Sequence, residues 1–133
     1  MKKLIVMLLA LCICLGLCAC ASMDKFEENL GSKYKIEKLD DDDLEDYAEL
    51  LDLDVDDYNV IDAMEATHKK SGIGVMILEC GSASDAEELA EDGEVMVELL
   101  ESYYSSKYSF DSVAEGRFVL IGEEDAIEDA LGK

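Results

Sequence analysis

Basic residues are scarce in this chain. Lys and Arg together number 11 against 33 Asp and Glu in 133 residues, and Arg117 is the only arginine, so the net charge is −22. Phosphate contacts require clusters of Lys and Arg, so this balance excludes direct binding to nucleic acid. It also disfavours docking on anionic lipid headgroups. Cationic partners remain open, namely metal ions, cationic peptides and basic proteins.

Residues that could serve as nucleophiles or bases are also few. His68 is the single histidine and lies beside a predicted turn, where we expect a solvated side chain. Four of the five cysteines lie in the first twenty residues, which leaves Cys80 without a partner for an intrachain disulfide once that segment is processed. Cys80 ends an apolar run and has no basic neighbour to lower its pKa, so we expect a small buried hydrophobe. The sequence predicts a protein that is not an enzyme and has no cofactor.

Signatures of phosphate binding are missing as well. Nucleotide sites use Gly-rich loops and helix N-termini that are free of carboxylates. The predicted main helices instead begin with acids, at Asp40–Asp43, at Asp85 and Glu87, and at Glu123–Asp125. We therefore expect no binding of ATP or NAD.

The first twenty residues have the arrangement of a secretory signal. Lys2 and Lys3 are followed by an uncharged apolar run and then by small residues. The last four of them, Leu17 to Cys20, resemble the lipobox of bacterial prolipoproteins. The resemblance implies that Cys20 is acylated, becomes the mature N-terminus and anchors the chain through lipid at the extracytoplasmic face of the cell membrane.

Two alternatives compete with lipidation at Cys20. Cys18 and Cys14 are poorer processing sites, because bulky Leu17 and Ile13 precede them. An uncleaved anchor is the second alternative, because residues 4–23 carry no charge and about 20 apolar residues span a bilayer. Either arrangement keeps the two N-terminal lysines inside and the remaining chain outside.

The resemblance divides the chain into three parts. Residues 1–19 are the signal peptide, residues 20–22 are the lipidated N-terminus with a minimal linker, and residues 23–133 form a single acidic α+β domain. Removing the signal removes two lysines and no acid, which makes the net charge −24. The domain is expected to lie close to the membrane.

Hydrophobic periodicity defines the elements of this domain. Ser22 is expected to cap the first helix and Gly31 to end it, while Asp43 with Asp46 and Ser84 with Glu87 have capping-box spacing. The predicted elements, in order, are helix 23–30, strand 33–39, a helix from 43 to 51, strands 58–68 and 73–80, helix 84–104, strands 108–113 and 117–121, and helix 123–131.

The central order β-α-β-β-α-β resembles a ferredoxin-like split β-α-β sandwich. The resemblance implies an antiparallel sheet with helices on one face, plus short N- and C-terminal helices. Gly93 lies on the apolar stripe of the long helix, which indicates close approach to the sheet.

Two local clusters admit a binding role. Asp52, Asp54, Asp56 and Asp57 have the alternation that opens an EF-hand loop, but no register supplies the required Gly and the final Glu, so at most a loose metal site is expected. A second, aromatic cluster fits either a peptide-binding platform or a packing junction between the long helix and the last hairpin. The aromatic cluster comprises Tyr103, Tyr104, Tyr108 and Phe110.

These patterns predict a membrane-anchored extracytoplasmic lipoprotein that acts as a non-enzymatic binding or interaction module. The alternative is an acidic accessory domain that binds Ca²⁺ or a cationic peptide or protein.

Overall fold

A five-stranded antiparallel sheet forms the centre of the protein, and helices pack on both of its faces. The computed structural model describes residues 22–51, 55–104 and 106–133. The elements, in chain order, are α1 (Met23–Leu30), β1 (Tyr34–Lys38), α2 (Asp41–Leu51), β2 (Val60–His68), β3 (Gly74–Cys80), α3 (Ala83–Asp92), α4 (Glu94–Tyr103), β4 (Phe110–Glu115), β5 (Phe118–Glu123) and α5 (Glu124–Leu131).

The strand order is β1-β2-β3-β5-β4, and each neighbouring pair is antiparallel. The predicted α+β class with an antiparallel sheet is therefore confirmed. Strands β3 and β4 run parallel with β5 between them, so α3 and α4 belong to one split β-α-β unit.

The first β-α-β segment differs from the expected ferredoxin-like arrangement. Strands β1 and β2 flank α2 and pair directly and antiparallel, with Ile36 opposite Ala66. The chain after α2 returns through a short 3₁₀ turn (Val55–Tyr58) and enters β2 at the end of the sheet where β1 finished. Helix α2 therefore does not carry the chain across the sheet, and no second split unit forms. Periodicity assigns a strand but not its neighbour, so the sequence did not decide this point.

The two terminal helices cover one face of the sheet. Met23, Phe26 and Leu30 of α1 and Ile127 of α5 are buried there against the strands. The ring of Phe26 meets that of Phe118 edge-on, with centroids 5.0 Å apart. This packing joins the two ends of the described chain into a single layer.

The two inner helical segments cover the opposite face. Leu44 of α2 and Leu89 of α3 are buried against Met76, Leu78 and Val119 of the sheet. The prediction that the central helices share one face is confirmed. The terminal helices complete a three-layer arrangement by occupying the other face.

The helix starts show where cap prediction succeeded and where it failed. Ser22 caps α1 as predicted, its Oγ accepting from the Lys25 amide at 3.2 Å. The box at α2 is Asp40 with Asp43, which exchange bonds of 2.9 and 3.1 Å, and not Asp43 with Asp46. Helix α3 is capped by Ser82, whose backbone is still extended, and not by Ser84, which lies inside the helix.

Gly93 divides the predicted long helix into α3 and α4 and packs tightly on the sheet. A Cβ at this position would lie 2.8 Å from Ser112 Oγ and 3.0 Å from Ile121 Cδ1. The Ser112 hydroxyl, buried here, donates to the carbonyl of Ala90 at 2.7 Å. The expected close approach is confirmed, and the absence of a side chain permits it.

Candidate functional site

A groove opens between α2 and α4, above the end of the sheet where β2 finishes and β3 begins. Its volume is about 770 Å³, within the usual range for small-ligand pockets. It lies on the face that α2 and α3 cover, because Met76 and Ile121 belong to both the groove and that core. Its lining includes the side chains of Tyr47, Glu65, Met76, Met96, Leu99 and Tyr103.

Helix α4 forms an apolar wall of the groove and presents large side chains to solvent. Leu99 is 51% exposed and Tyr103 is 82% exposed. The helix packs inward through Val97 and Leu100 instead, against Phe110. Leu99 and Tyr103 are therefore not required for the core, and their exposure marks a surface that a partner could cover.

The floor of the groove includes Thr67 and Gly74, where β2 ends and β3 begins. A Cβ at Gly74 would overlap the carbonyl oxygen of Ala66 on the neighbouring strand. Thr67 on β2 pairs with Gly74, and Met76 follows two residues later on the same face. The missing side chain at Gly74 therefore allows β2 and β3 to pair closely beneath the groove.

One hydrogen bond ties α2 to the sheet beside this floor. The hydroxyl of Tyr47 donates to Glu65 Oε2 at 2.5 Å, and both side chains are partly buried. The bond to Glu65, followed by burial, raises the pKa of Tyr47 to about 12, because ionising the phenol would place two negative charges together. Tyr47 therefore remains a neutral phenol throughout the physiological range.

The helices on both sides of the groove carry acids and no bases. The sequence of α2 includes Asp41–Asp43, Glu45, Asp46 and Glu49, and that of α4 includes Glu94, Glu98 and Glu101. Among the described residues that line the groove, Glu65 is the charged one. The site thus combines an apolar wall with a negative electrostatic environment.

The groove and the start of the described chain lie at opposite ends of the sheet and on opposite faces. Helix α1 begins beside Ser22, near the end of the sheet marked by the contacts of Phe26 with Phe118 and of Glu27 with Lys38. The groove lies at the end marked by Thr67 and Gly74. A segment that precedes Ser22 therefore joins the domain on the side away from the groove.

Cys80 is buried, and its thiol has a raised pKa. Its exposed fraction is 0%, and burial, aided by Asp85 and Glu79, raises the pKa of its thiol to about 11. A thiolate would be required for nucleophilic attack. The interpretation of Cys80 as a small core residue is confirmed.

His68 lies at the end of β2, beside the β2–β3 turn as predicted, but its side chain is half-buried. Its ring packs edge-on against Tyr34 at 5.2 Å, and its Nδ1 accepts from the Lys70 amide at 3.2 Å. The side chain is therefore only partly exposed to solvent, at the predicted position beside the turn. The imidazole stabilises the turn through its hydrogen bond with the Lys70 amide.

The cleft beside His68 is polar, and several of its charges are paired with each other. Its volume is about 490 Å³. Asp129 accepts from the Tyr34 hydroxyl at 2.8 Å and from Lys33 Nζ at 3.4 Å. Glu123 lines the same cleft, and burial raises the pKa of its carboxyl. These contacts fasten α5 to β1.

Several predicted site residues lie beyond what the structure describes. Cys20, Asp52 and Asp54 fall outside the described residues, as does the side chain of Asp56, while Asp57 is exposed. Within residues 22–51, 55–104 and 106–133, no group of three or more His, Cys, Asp or Glu is arranged to hold a metal ion. In those same ranges, none of the helices has the length and apolar composition to cross a membrane.

The aromatic cluster is mainly a packing junction, and one member belongs to the groove. The ring centroid of Tyr104 lies 5.6 Å from that of Phe110 and 6.5 Å from that of Tyr108, and these contacts join α4 to the last hairpin. Tyr103 contacts Tyr104 at 5.2 Å but projects into solvent. The junction interpretation is confirmed for three of the four rings, and Tyr103 remains available for binding.

Sequence reasoning missed the importance of Leu99 and Glu65. A signal for Leu99 was present, because Val95, Leu99 and Tyr103 are spaced by four residues and form a second apolar row beside the buried stripe. No comparable signal marked Glu65, one of 33 acids in the chain.

Comparison with protein families, curated proteins and solved structures found no match to this chain.

Proposed function

We propose that this chain is a bacterial lipoprotein, anchored through Cys20 at the extracytoplasmic face of the cell membrane, and that it acts there as a non-enzymatic binding domain. Its binding surface is the groove between α2 and α4. The observation that carries the proposal is the exposed apolar wall at Leu99 and Tyr103, above the part of the sheet that includes Gly74 and Met76.

The position of the groove supports this role. Cys20 precedes Ser22 by two residues, so a lipid on it would lie within about 7 Å of the start of α1. The groove lies on the opposite face and at the opposite end of the sheet. An anchored domain would therefore direct the groove away from the bilayer, where a partner can reach it.

The chemistry of the described residues also favours binding over catalysis. Cys80 is buried with a raised thiol pKa, and His68 is engaged by Tyr34 and the Lys70 amide. The groove itself offers apolar surface with a tyrosine–carboxylate pair, an arrangement that holds a ligand without activating a nucleophile.

Labelling with palmitate in a bacterial host tests the anchor. We expect the wild-type protein to incorporate label and Cys20→Ser to lose it, while the matched control Cys18→Ser keeps it. Intact-mass measurement accompanies the labelling. A mass that retains residues 1–19 would overturn the lipoprotein assignment in favour of an uncleaved anchor.

Binding by the groove is tested with a defined neutral probe, a 12-residue amphipathic peptide of Leu and Gln. The full protein is held in nanodiscs of zwitterionic phosphatidylcholine, and empty discs give the background. We expect saturable binding that Leu99→Ser weakens about fivefold, because part of a leucine side chain is no longer covered. Ile61→Ser is the matched control, since Ile61 is 61% exposed but is remote from the groove. Equal loss in both variants, or no loss in either, would contradict the proposal.

A further inference from the structure

We infer that the partner of the α2–α4 groove is a cationic amphipathic segment of another protein. The inference rests on the proposed binding function and specifies the chemistry of its partner. Such a segment would place apolar side chains against Leu99 and Tyr103 and a lysine or arginine near Glu65. Three features of the groove support this choice over other occupants.

The first feature is the charge of the two flanking helices. Helices α2 and α4 contain several acids and no bases, so an approaching segment meets negative potential from both sides. Lys69 and Lys70 lie in the turn after β2, and they are the bases closest in sequence to the groove lining. They lie beyond the end of the floor, and neither lines the groove.

The second feature is a pair of like charges on the sheet. Glu65 of β2 pairs directly with Glu37 of the edge strand β1, and like charges in this register destabilise a sheet. Lys35 Nζ lies 3.3 Å from Glu37 Oε1 and offsets its charge. The Tyr47 hydroxyl donates a hydrogen bond to one carboxylate oxygen of Glu65. A carboxylate accepts several hydrogen bonds, so Glu65 retains capacity for a cationic donor.

The third feature is the length of the apolar wall. Helix α4 has 10 residues and is therefore about 15 Å long. That length matches two to three turns of an amphipathic helix or a short extended segment. Leu99 and Tyr103 are one helical turn apart and would contact successive apolar side chains of such a segment.

The charge argues against two other occupants. A second copy of this chain would bring two strongly acidic surfaces together, with a net charge of −22 on each chain. An anionic lipid surface would meet the same repulsion. An uncleaved N-terminal segment would retain Lys2 and Lys3, and its occupancy of the groove is an outcome of the test.

The test extends the neutral-peptide measurement with two matched peptides in which Lys or Glu replaces every Gln. Fluorescence polarisation is recorded for the full protein in phosphatidylcholine nanodiscs at about 0.15 M salt, which screens long-range attraction. We expect the Lys peptide to bind about tenfold more tightly than the Gln peptide, and the Glu peptide to bind more weakly than either. Leu99→Ser and Tyr103→Ser should weaken the Lys and Gln peptides alike.

Glu65→Gln isolates the charge, because the amide oxygen still accepts from Tyr47. We expect this variant to weaken the Lys peptide about fivefold and the Gln peptide by a clearly smaller factor. Glu91→Gln is the matched control, since Glu91 is an exposed acid on α3 that does not line the groove. Equal weakening by both variants would mean that only the net charge of the protein matters, and would overturn the inference.

The remaining outcomes separate the two proposals. If the Gln and Lys peptides bind equally and both depend on Leu99, the groove is a binding surface but its partner is not cationic. If neither peptide depends on Leu99, both proposals fail. If intact mass shows that residues 1–19 are retained and peptide binding appears only after they are removed, that segment occupies the groove, and the inference of an external partner is wrong.

Discussion

The hydroxyl of Tyr47 donates to the carboxylate of Glu65 at 2.5 Å and joins α2 to the second strand of the sheet. The same pairing recurs twice. Tyr34 donates to Asp129 of α5 at 2.8 Å, and Tyr58 donates to Asp92 of α3 at 2.5 Å. Three helices are thus each fastened by a tyrosine–carboxylate bond to another part of the fold.

These bonds predict loss of stability in alkali. Hydrogen bonding to a carboxylate and burial raise the pKa of Tyr47 and of Tyr58 from 10.0 to about 12. A phenol whose pKa is higher in the folded state than in the unfolded state stabilises the folded protein. This contribution is fully present below the unfolded-state pKa, and it disappears as the pH rises through the folded-state pKa. The buried Cys80 thiol, whose pKa is raised from 9.0 to about 11, adds to this loss, so we expect the free energy of unfolding in urea to fall between pH 9.0 and 12.

Tyr47→Phe tests the assignment to a named residue. The change removes a hydrogen bond to a charged acceptor and should lower the free energy of unfolding at pH 8 by about 1–2 kcal/mol. It should also reduce the decline in alkali. Tyr103→Phe is the control, because the Tyr103 side chain is 82% exposed and its hydroxyl is not involved in these bonds. An equally steep alkaline decline in Tyr47→Phe would refute the assignment.

Gly93→Ala should destabilise the protein although alanine favours helices. The added methyl would lie 2.8 Å from Ser112 Oγ, and relieving that overlap is expected to cost about 1–3 kcal/mol. The gain in helix propensity is about 1 kcal/mol, so the net effect is a loss. Urea unfolding measures this change in the free energy of unfolding. The control is Glu94→Ala at the exposed neighbouring position, which we expect to lie within about 0.5 kcal/mol of wild type. In a Ser112→Ala background, part of the cost should disappear.

The cap of α3 can be assigned by a pair of serine variants. Ser82 Oγ accepts from the Asp85 amide at 3.1 Å, so Ser82→Ala should lower the free energy of unfolding by about 1 kcal/mol. Ser84 lies inside the helix and is exposed, so Ser84→Ala should change it by less than about 0.5 kcal/mol. The reverse order of the two effects would place the cap at Ser84.

Cys80 should resist alkylation in the native protein. Its thiol is fully buried and the thiol pKa is raised to about 11. At pH 8 the reagent therefore cannot reach the sulfur, and the reactive thiolate is not formed. Iodoacetamide treatment followed by peptide mapping reads this cysteine separately from the four near the N-terminus. We expect labelling in urea and almost none in native buffer. Rapid native labelling would show that the thiol is accessible.

Local pattern was sufficient for most of the secondary structure. Alternation and helical spacing predicted the hairpin turn before Ile73, the last hairpin and the terminal helices to within about two residues. The caps at α2 and α3 were misplaced, because acids and serines repeat within three residues at both sites and spacing alone does not distinguish them. The extended backbone of Ser82 is set by the end of β3.

The groove between α2 and α4 was much less accessible to sequence reasoning. Tyr47 lies within the helix predicted from 43 to 51, but its acceptor Glu65 is 18 residues away, on a strand whose other face is buried. The exposure of Leu99 depends on how α4 turns relative to α3 at Gly93. Such relations join distant parts of the chain, so no local periodicity encodes them.

The sequence by itself determined the α+β class, the acidic character of the domain and the order of its helices and strands, because these follow from composition and short-range periodicity. It also carries the lipobox resemblance at Cys20, on which the proposed anchor depends. Only the tertiary structure decided that β1 pairs with β2, that β5 lies between β3 and β4, and that α2 and α4 leave a groove above Gly74. Strand pairing and helix spacing are set by packing among residues far apart in the chain.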